Sequence, residues 1–331
     1  MIVDVEKART DIPLVTAIVG CYNHERYVQE TLDSVLAQTY PNIQLVVFDD
    51  CSRDGSVATI RDWIDRHNVV CTLLAHSKNV GICASLNDAL LHARGKYITM
   101  VAADDVWLSE KTAKQVEIME SLSEDVGVLY SDAYRINESG ELLPQTFIPF
   151  YRTLSTMPEG RIFDTLIKGN FIPAMTALIR RECYQSVGGY DESLFFEDWD
   201  MWARISRVFQ FAFCPFLCAK YRVVGTSMSH SQRDKMDVAM DAMFAKYFLA
   251  GWLEGNFRKH GLDGLECHLW RSFRTGMSVP WHSLLLLVRN RPSRRNLALL
   301  VWVCLRLRRA DFESALKLFG SIRKWSGLTK L

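Results

Sequence analysis

Strand and helix patterns alternate through the first third of the chain. Four short runs rich in β-branched residues predict strands, and apolar residues at helical spacing fill the stretches between them. The strands are residues 14–19, 43–48, 69–75 and 97–101, and the helices are residues 25–38, 57–66 and 82–93. Alternation of this kind needs crossover helices that join parallel strands. The sequence therefore predicts an α/β domain whose mostly parallel central sheet is flanked by helices.

Polar residues follow three of these predicted strands. Asn23 follows the first, Asp49 and Asp50 the second, and Asp104 with Asp105 the fourth. Because α/β sheets bind ligands outside the carboxyl ends of their strands, we expect these side chains to meet at one rim. Adjacent carboxylates at that rim suit a divalent cation that holds a phosphorylated substrate, and a solvated loop or a helix cap is the alternative.

Composition restricts the class of protein. The chain has 331 residues, of which 49% are apolar, and a net charge of +1, so it is globular and shows no global affinity for nucleic acid. Nine cysteines without CxxC spacing indicate reduced thiols in a cytosolic compartment. Cys214 and Cys218 flank an apolar segment and are expected to pack in a core rather than bind zinc. Residues 1–10 carry no signal-peptide pattern, and no apolar run is long enough for a membrane span.

The alternation stops after residue 125. Residues 126–130 and 174–180 are predicted as two further strands, separated by an irregular, proline-containing stretch of the kind that commonly builds a substrate pocket. The first strand–helix turn reads Gly20-Cys21-Tyr22-Asn23-His24, so the glycine-rich dinucleotide fingerprint is absent. A different mode of nucleotide binding is therefore expected.

Four blocks of sequence resemble the family 2 glycosyltransferases, which are nucleotide-sugar enzymes of GT-A fold. They occur in the family's order and read VTAIVGCYN from residue 15, LVVFDDCSRDGS from residue 45, NVG from residue 79 through to Asp104-Asp105, and VGGYDE from residue 187 with EDWDMW from residue 197. The resemblance covers roughly residues 14–225. It implies a Rossmann-like GT-A catalytic domain over residues 1–230, followed by a helical, basic region over residues 231–331.

The resemblance also implies a nucleotide-sugar donor site. The family's strand-end acid, here Asp49 or Asp50, binds the base or ribose, and an ionised carboxylate accepts strongly from an imide or a hydroxyl. A cap on the following turn is the alternative for Asp50. For Arg222, phosphate binding and a surface ion pair remain open. The further residues expected to contact the donor are Cys21, Tyr22, Asn23, Glu25, Asn79, Asn87 and Asp104.

A metal site is implied at Asp104 and Asp105, which take the place of the family's aspartate-x-aspartate motif. Asp105 is expected to bind Mn²⁺ or Mg²⁺ with support from Asp104, and the ion would offset charge on the leaving diphosphate. Two departures weaken the pattern: Ala102 and Ala103 precede the pair where a further carboxylate often stands, and Val224 occupies a position where relatives frequently carry a histidine.

A catalytic base is implied at Asp198, within the pair Glu197-Asp198. An inverting transfer needs such a group, because the acceptor hydroxyl loses its proton as it attacks the anomeric carbon. Asp191 is a substitute if the loop geometry differs. The alternative is that both acids only favour the start of a helix through its macrodipole.

The C-terminal region is basic. Residues 281–331 hold eleven Lys and Arg against Asp311 and Glu313. Residues 278–310 combine short apolar segments with arginines at 289, 291, 294, 295, 306, 308 and 309. This pattern is typical either of a helix in a membrane interface or of a helical subdomain packed on the catalytic core.

The leading hypothesis is therefore an inverting, metal-dependent glycosyltransferase. It would use a UDP-sugar, act on a saccharide or lipid-linked saccharide in surface polysaccharide synthesis, and work in the cytoplasm, with a peripheral position at the inner face of the plasma membrane as a variant. The alternative is a catalytically degenerate nucleotide-sugar-binding protein, motivated by Ala102, Ala103 and Val224. A sugar nucleotidyltransferase is disfavoured because its glycine-rich basic loop is missing.

Overall fold

The computed structural model describes residues 12–225, 233–274, 279 and 281–305. The chain divides into two compact units, residues 1–232 and residues 233–331. Residues 1–10 and the arginines at 306, 308 and 309, which were considered above, lie outside the described residues.

Eight strands of the first unit form one mixed sheet. They are β1 (Val15–Cys21), β2 (Ile43–Asp49), β3 (Cys71–Ala75), β4 (Tyr97–Ala102), β5 (Val106–Trp107), β6 (Val126–Ile136), β7 (Leu178–Arg180) and β8 (Gln210–Arg222). Their order across the sheet is β3-β2-β1-β4-β7-β6-β8-β5. The first four are parallel, β7 is antiparallel to both of its neighbours, β6 and β8 are parallel, and β5 is antiparallel to β8. The predicted α/β sheet is confirmed, and its antiparallel pairings lie in the second half.

Helices flank this sheet. They are α1 (Val28–Leu36), α2 (Ser56–His67), α3 (Ile82–His92), α4 (Lys111–Ser121), α5 (Phe147–Tyr151), α6 (Phe163–Ile167), α7 (Arg181–Val187) and α8 (Asp198–Ser206). The prediction of one strand over 174–180 is wrong, because Ala174–Thr176 forms a 3-10 helix before β7 begins. In it the Thr176 hydroxyl donates to the carbonyls of Pro173 and Ser131, each at 2.8 Å, which favours the turn over an extended chain.

The central strands are buried on both faces, which explains their continuous apolar runs. On β1, Ile18 packs in one core cluster, while Ala17 and Val19 pack in another on the opposite face. Cys214 and Cys218 are buried in core clusters, as expected.

The register of the parallel strands brings their polar ends together. Cys21 of β1 pairs with Asp49 of β2, and Gly20 pairs with Ala102 of β4. Beyond the strands, the Asp50 amide donates to the Cys21 carbonyl at 3.0 Å, and the Ala103 amide donates to the Gly20 carbonyl at 2.8 Å. The expectation that these strand ends share one rim is confirmed.

The second unit is helical where the structure describes it. Its helices are α9 (Arg233–Leu249), α10 (Gly255–Arg274), α11 (Trp281–Asn290) and α12 (Arg294–Leu305). Arg291 lies between α11 and α12. It forms ion pairs with two acids of α10, Asp263 at 2.6 Å and Glu266 at 2.7 Å. Among the helices of the described residues, none combines the length and apolar character needed to cross a bilayer.

Candidate active site

The two acids after β2 are buried and hydrogen-bonded to loop backbone. Asp49 accepts from the Ser52 amide at 2.8 Å and from its hydroxyl at 2.5 Å, so it caps its own turn. Asp50 accepts from the amides of Val80 at 2.7 Å and Gly81 at 2.9 Å. Asp50 therefore ties the loop after β2 to the start of α3, and its predicted contact with a nucleotide stays a prediction.

The loop after β1 is held against residues 52–55. Asn23 adopts a left-handed backbone, with φ of 58°, and its side-chain oxygen accepts from the Arg53 amide at 2.7 Å. Glu25 accepts from the Gly55 amide at 2.9 Å. Both residues were predicted to contact the donor, and the structure shows them shaping the rim around the end of β1.

Three further predicted donor residues lie around this rim. Burial raises the pKa of Cys21 to about 12, so its thiol is neutral. Tyr22 is exposed. The Asn79 amide group donates to the Asp50 carbonyl at 3.1 Å. The structure thus brings Cys21, Tyr22 and Asn79 to the rim, with Tyr22 the most accessible of them.

Asp104 and Asp105 follow β4 at the same rim. Asp105 is only 2% exposed, and its Oδ1 accepts from the Arg222 amide at 2.9 Å. Its carbonyl accepts from the Thr31 hydroxyl at 2.7 Å. Burial, followed by the charge of Asp104, raises the pKa of Asp105 well above its usual value, and burial also raises the pKa of Asp104. The charge of Arg222 opposes this rise in the pKa of both acids without cancelling it.

Arg222 closes this rim from the end of β8. Its Nε donates to the Asp104 carbonyl at 2.8 Å, and Nη1 donates to the carbonyls of Asn137 at 3.3 Å and Glu138 at 3.4 Å. Its Nη2 pairs with Glu30 at 2.5 Å. The side chain is buried, so these are the contacts of a residue that holds the surrounding loops, and its predicted contact with phosphate stays a prediction.

His24 is a rim residue that sequence reasoning missed. Its Nδ1 lies 3.8 Å from Asp104 Oδ2. The available signal was its place in the motif loop directly after Asn23. His24 therefore adds a third polar side chain beside the two acids.

The rim acids fit a divalent cation that shares its ligands with a substrate. Mn²⁺ and Mg²⁺ prefer carboxylate oxygens, and Asp105 Oδ2 makes no hydrogen bond with the described residues. Within the part of the chain that the structure describes, no group of three or more His, Cys, Asp or Glu side chains is arranged to hold a metal. Phosphate oxygens of a substrate are further ligands that would suit such an ion.

A second carboxylate pair lies at the start of α8. Asp198 Oδ2 accepts from the Asn170 side chain at 2.6 Å, and its Oδ1 accepts from the Trp199 amide at 2.6 Å. Both side chains keep some solvent exposure, but protein atoms surround most of each carboxyl group. This burial raises the pKa of Asp198. Burial, followed by the charge of Asp198, raises the pKa of Glu197 to about 8. Glu197 is thus the member of the pair that holds a proton near neutral pH.

Asn170 was also missed by sequence reasoning. It lies in the irregular stretch between β6 and β7, outside every motif block, and its only relation to Asp198 is a contact across 28 residues. No local pattern could have found it.

The remaining predicted residues are Asn87 on α3 and Asp191 in the loop that precedes α8. Asn87 accepts from the Tyr190 amide at 2.7 Å and donates to Glu192 at 2.8 Å, so it holds this loop on α3. Asp191 accepts from the amide of Ser193 at 3.1 Å. The structure does not assign Asn87 to a donor or Asp191 to a base, and both roles stay predictions.

Comparison with known proteins identifies the class. Residues 16–188 match the model of glycosyl transferase family 2. The chain therefore belongs to this family, and the resemblance of the four sequence blocks is confirmed.

Individual relatives agree with this membership. The chain is 28% identical over 226 residues to an uncharacterized glycosyltransferase of Rickettsia prowazekii, covering 68% of this chain and 69% of the relative. It is 25% identical over 260 residues to UDP-Glc:alpha-D-GlcNAc-diphosphoundecaprenol beta-1,3-glucosyltransferase WfgD of Escherichia coli, covering 76% and 96%. It spans only 31% and 34% of two other Rickettsia glycosyltransferases, from R. bellii and R. felis.

Solved structures share the fold. The mannosyltransferase PcManGT from Pyrobaculum calidifontis, in complex with GDP-Man and Mn²⁺, superposes with a TM-score of 0.56 at 21% identity, covering 96% of this chain and 84% of that one. TarS of S. aureus in complex with UDP-GlcNAc gives 0.56 at 18% identity, covering 88% and 79%. The expected GT-A fold is confirmed.

We expect Arg222→Met to lower the free energy of unfolding by about 2–4 kcal/mol, because several backbone carbonyls lose a buried donor. Urea unfolding monitored by circular dichroism measures the change. Arg26→Met is the control, since the exposed Arg26 meets Glu138 at 3.5 Å and lies over the Tyr27 ring, and its replacement should change stability by less than about 0.5 kcal/mol. Equal losses in the two variants would contradict the assignment of Arg222 as a clamp.

Proposed function

We propose that this protein is an inverting glycosyltransferase that moves a sugar from a UDP-sugar to a hydroxyl of a saccharide or lipid-linked saccharide. The observation that carries the proposal is the presence of two acid centres, the largely buried pair Asp104 and Asp105 at the rim and a separate, hydrogen-bonded Asp198. The names of two similar proteins support UDP-sugars, since WfgD uses UDP-Glc and TarS was solved with UDP-GlcNAc. The lipid-linked acceptor in the name of WfgD supports a role in polysaccharide synthesis.

At the rim, Asp105 would hold Mn²⁺ or Mg²⁺ with Asp104 in support. Such an ion, when bound, offsets the negative charge of the departing diphosphate. The Arg222 amide and the Thr31 hydroxyl fix the position of Asp105. Its Oδ2 would therefore meet the ion without a rearrangement of the side chain. His24 adjoins Asp104 and is within reach of the same phosphates.

At α8, Asp198 would accept the proton of the attacking hydroxyl. Asn170 and the Trp199 amide orient its two oxygens. Glu197, with its pKa of about 8, carries a proton at neutral pH and so does not compete for this role. Attack from the side opposite the diphosphate inverts the configuration at the anomeric carbon.

A nucleotide-sugar-binding protein without turnover is the second candidate. Two observations favour it. Within the described residues, no group of three or more His, Cys, Asp or Glu side chains is arranged to hold a metal, and Val224 is a buried apolar residue. UDP release by Asp105→Asn and Asp198→Asn, compared with wild type, separates it from the enzyme.

Metal removal tests the rim. We expect release of UDP from a panel of UDP-sugars to require Mn²⁺ or Mg²⁺ and to stop with EDTA. Asp105→Asn should lower the rate by at least about 100-fold, because the ion loses its main protein ligand. Asp62→Asn, an exposed acid on α2, is the matched control and should keep the wild-type rate. UDP release that is unaffected by EDTA and by Asp105→Asn would refute the metal site.

The pH profile tests the base. Asp198→Asn should lower kcat by about 10²–10⁴-fold with the donor KM unchanged. In Asn170→Ala, Asp198 loses a hydrogen bond that lowers its pKa. The pKa of Asp198 then rises, and the acidic limb of the kcat profile moves to higher pH. An acidic limb at the same pH in Asn170→Ala and wild type would exclude Asp198 as the base, and full activity of Asp198→Asn would do so directly.

We also propose a peripheral position on the cytoplasmic face of an anionic membrane. On α11, exposed Leu285 lies four residues before exposed Arg289, and on α12 exposed Arg294, Leu297 and Val301 share one face. Leucine and valine can enter the acyl boundary while arginines meet anionic headgroups.

Flotation with phosphatidylglycerol vesicles tests this position. Replacing Leu285, Leu297 and Val301 with Ser should lower the bound fraction at least about fivefold, because about 25 cal/mol per Å² of buried apolar surface is lost. Leu91→Ser, at an exposed leucine of the first unit, is the control. Unchanged flotation of the triple variant would rule out this surface.

A further inference from the structure

Two exposed aromatic residues lie beside the candidate site without a role in it. Phe150 is 48% exposed and Tyr151 is 38% exposed, and their ring centroids are 4.9 Å apart on the short helix α5. We call this pair the aromatic shelf. Phe147 supports it from below, at 4.6 Å from Tyr151 and 5.0 Å from Tyr221. Large aromatic side chains cost free energy when left in water, so their exposure here points to a ligand surface.

A buried arginine underlies the shelf. The Arg135 guanidinium carbon lies 3.3 Å from the centroid of the Phe150 ring, in a cation–π stack. Its Nη1 donates to the Pro144 carbonyl at 3.2 Å, whereas its buried Nε has no hydrogen-bond partner among the described residues. The stack orients Phe150, and the shelf therefore presents aromatic rings held from the protein side.

One end of the shelf adjoins the rim acids. The Tyr151 ring is 6.5 Å from the Tyr221 ring. Tyr221 directly precedes Arg222, whose amide donates to Asp105 at 2.9 Å. One ring contact, one step along the chain and one hydrogen bond thus connect the shelf to the proposed metal ligand.

The other end adjoins the proposed base. Arg152 follows Tyr151, and its Nε donates to the Asn170 carbonyl at 3.2 Å. The Asn170 side chain in turn donates to Asp198 at 2.6 Å. A short segment of chain therefore links Asp105 to Asp198, which is where an acceptor must lie if its hydroxyl is to reach the base and the donor together.

We propose that the aromatic shelf binds the pyranose ring of the acceptor saccharide, an inference that rests on the glycosyltransferase function proposed above. The C–H face of a pyranose is apolar and packs on aromatic rings, while its hydroxyls can bond to the Tyr151 hydroxyl. A sugar fits better than a bilayer, because the shelf lies beside carboxylates that a bilayer would desolvate further.

Saturation-transfer NMR tests the shelf directly. The probes are methyl glycosides of glucose, galactose and N-acetylglucosamine, with UDP and Mn²⁺ present. We expect wild type to bind at least one of them, and Phe150→Ala and Tyr151→Ala to weaken that binding about tenfold. Phe150→Tyr should restore it, since the aromatic face returns. Val208→Ala, at an exposed apolar residue after α8, is the control and should bind as wild type.

Several outcomes decide the proposal. If the alanine variants lose their fold by circular dichroism, Phe150→Leu and Tyr151→Leu remove the rings while keeping apolar volume. Equal sugar affinity in wild type and in the folded shelf variants, or no binding of any glycoside by wild type, overturns it. If the Phe150 and Tyr151 variants lose binding to vesicles while their sugar binding is unchanged, the proposal is also overturned, in favour of a lipid surface. Metal-dependent UDP release reports on the proposed function separately, so the two failures are distinguishable.

Discussion

The burial of two adjacent carboxylates at the end of β4 is the constraint on which the donor end of this protein depends. Removing a charge from water costs several kcal/mol, and Asp104 and Asp105 repel each other in addition. Asp105 accepts from the Arg222 amide, and the charge of Arg222 acts on both acids, while His24 lies 3.8 Å from Asp104. The pKa of each acid is nevertheless raised, so part of the cost remains. The proposed cation, arriving with substrate phosphates, would offset that remainder.

The loops around this pair are fixed by one another rather than by the sheet alone. The Asp50 carboxylate holds the Gly81 amide, and the Glu25 carboxylate holds the Gly55 amide. Arg222 connects β8 to Asp104 and to Glu30 of α1. Each loop therefore depends on a residue distant in sequence, and the rim is organised before any ligand binds. Such pre-organisation is what electrostatic stabilisation of a leaving group requires.

Local sequence patterns predicted the elements and the rim but not the contacts across them. The apolar run that starts at Tyr97 marked a buried strand, and its ending on Asp104 marked the rim, because both follow from periodicity and burial. Asn170 carries no such mark, since its role arises only when the irregular stretch folds back on α8. The same holds for Arg222, whose contacts with Asp104 and Glu30 span 118 and 192 residues. Long-range pairing of this kind is set by tertiary packing, which a single sequence does not display.

The two acid centres differ in what compensates their charge, and this difference separates their chemistry. At the rim, burial and mutual repulsion raise the pKa of Asp105, and its second oxygen has no donor among the described residues. A hard cation is the partner proposed for this pair. At α8, two hydrogen bonds favour the ionised form of Asp198, and Glu197 relieves the repulsion by holding a proton. Burial opposes the ionised form of Asp198 and raises its pKa, which suits the proposed role of a base that takes up a proton. The two proposed roles therefore follow from what compensates each charge, a cation at the rim and hydrogen bonds at α8.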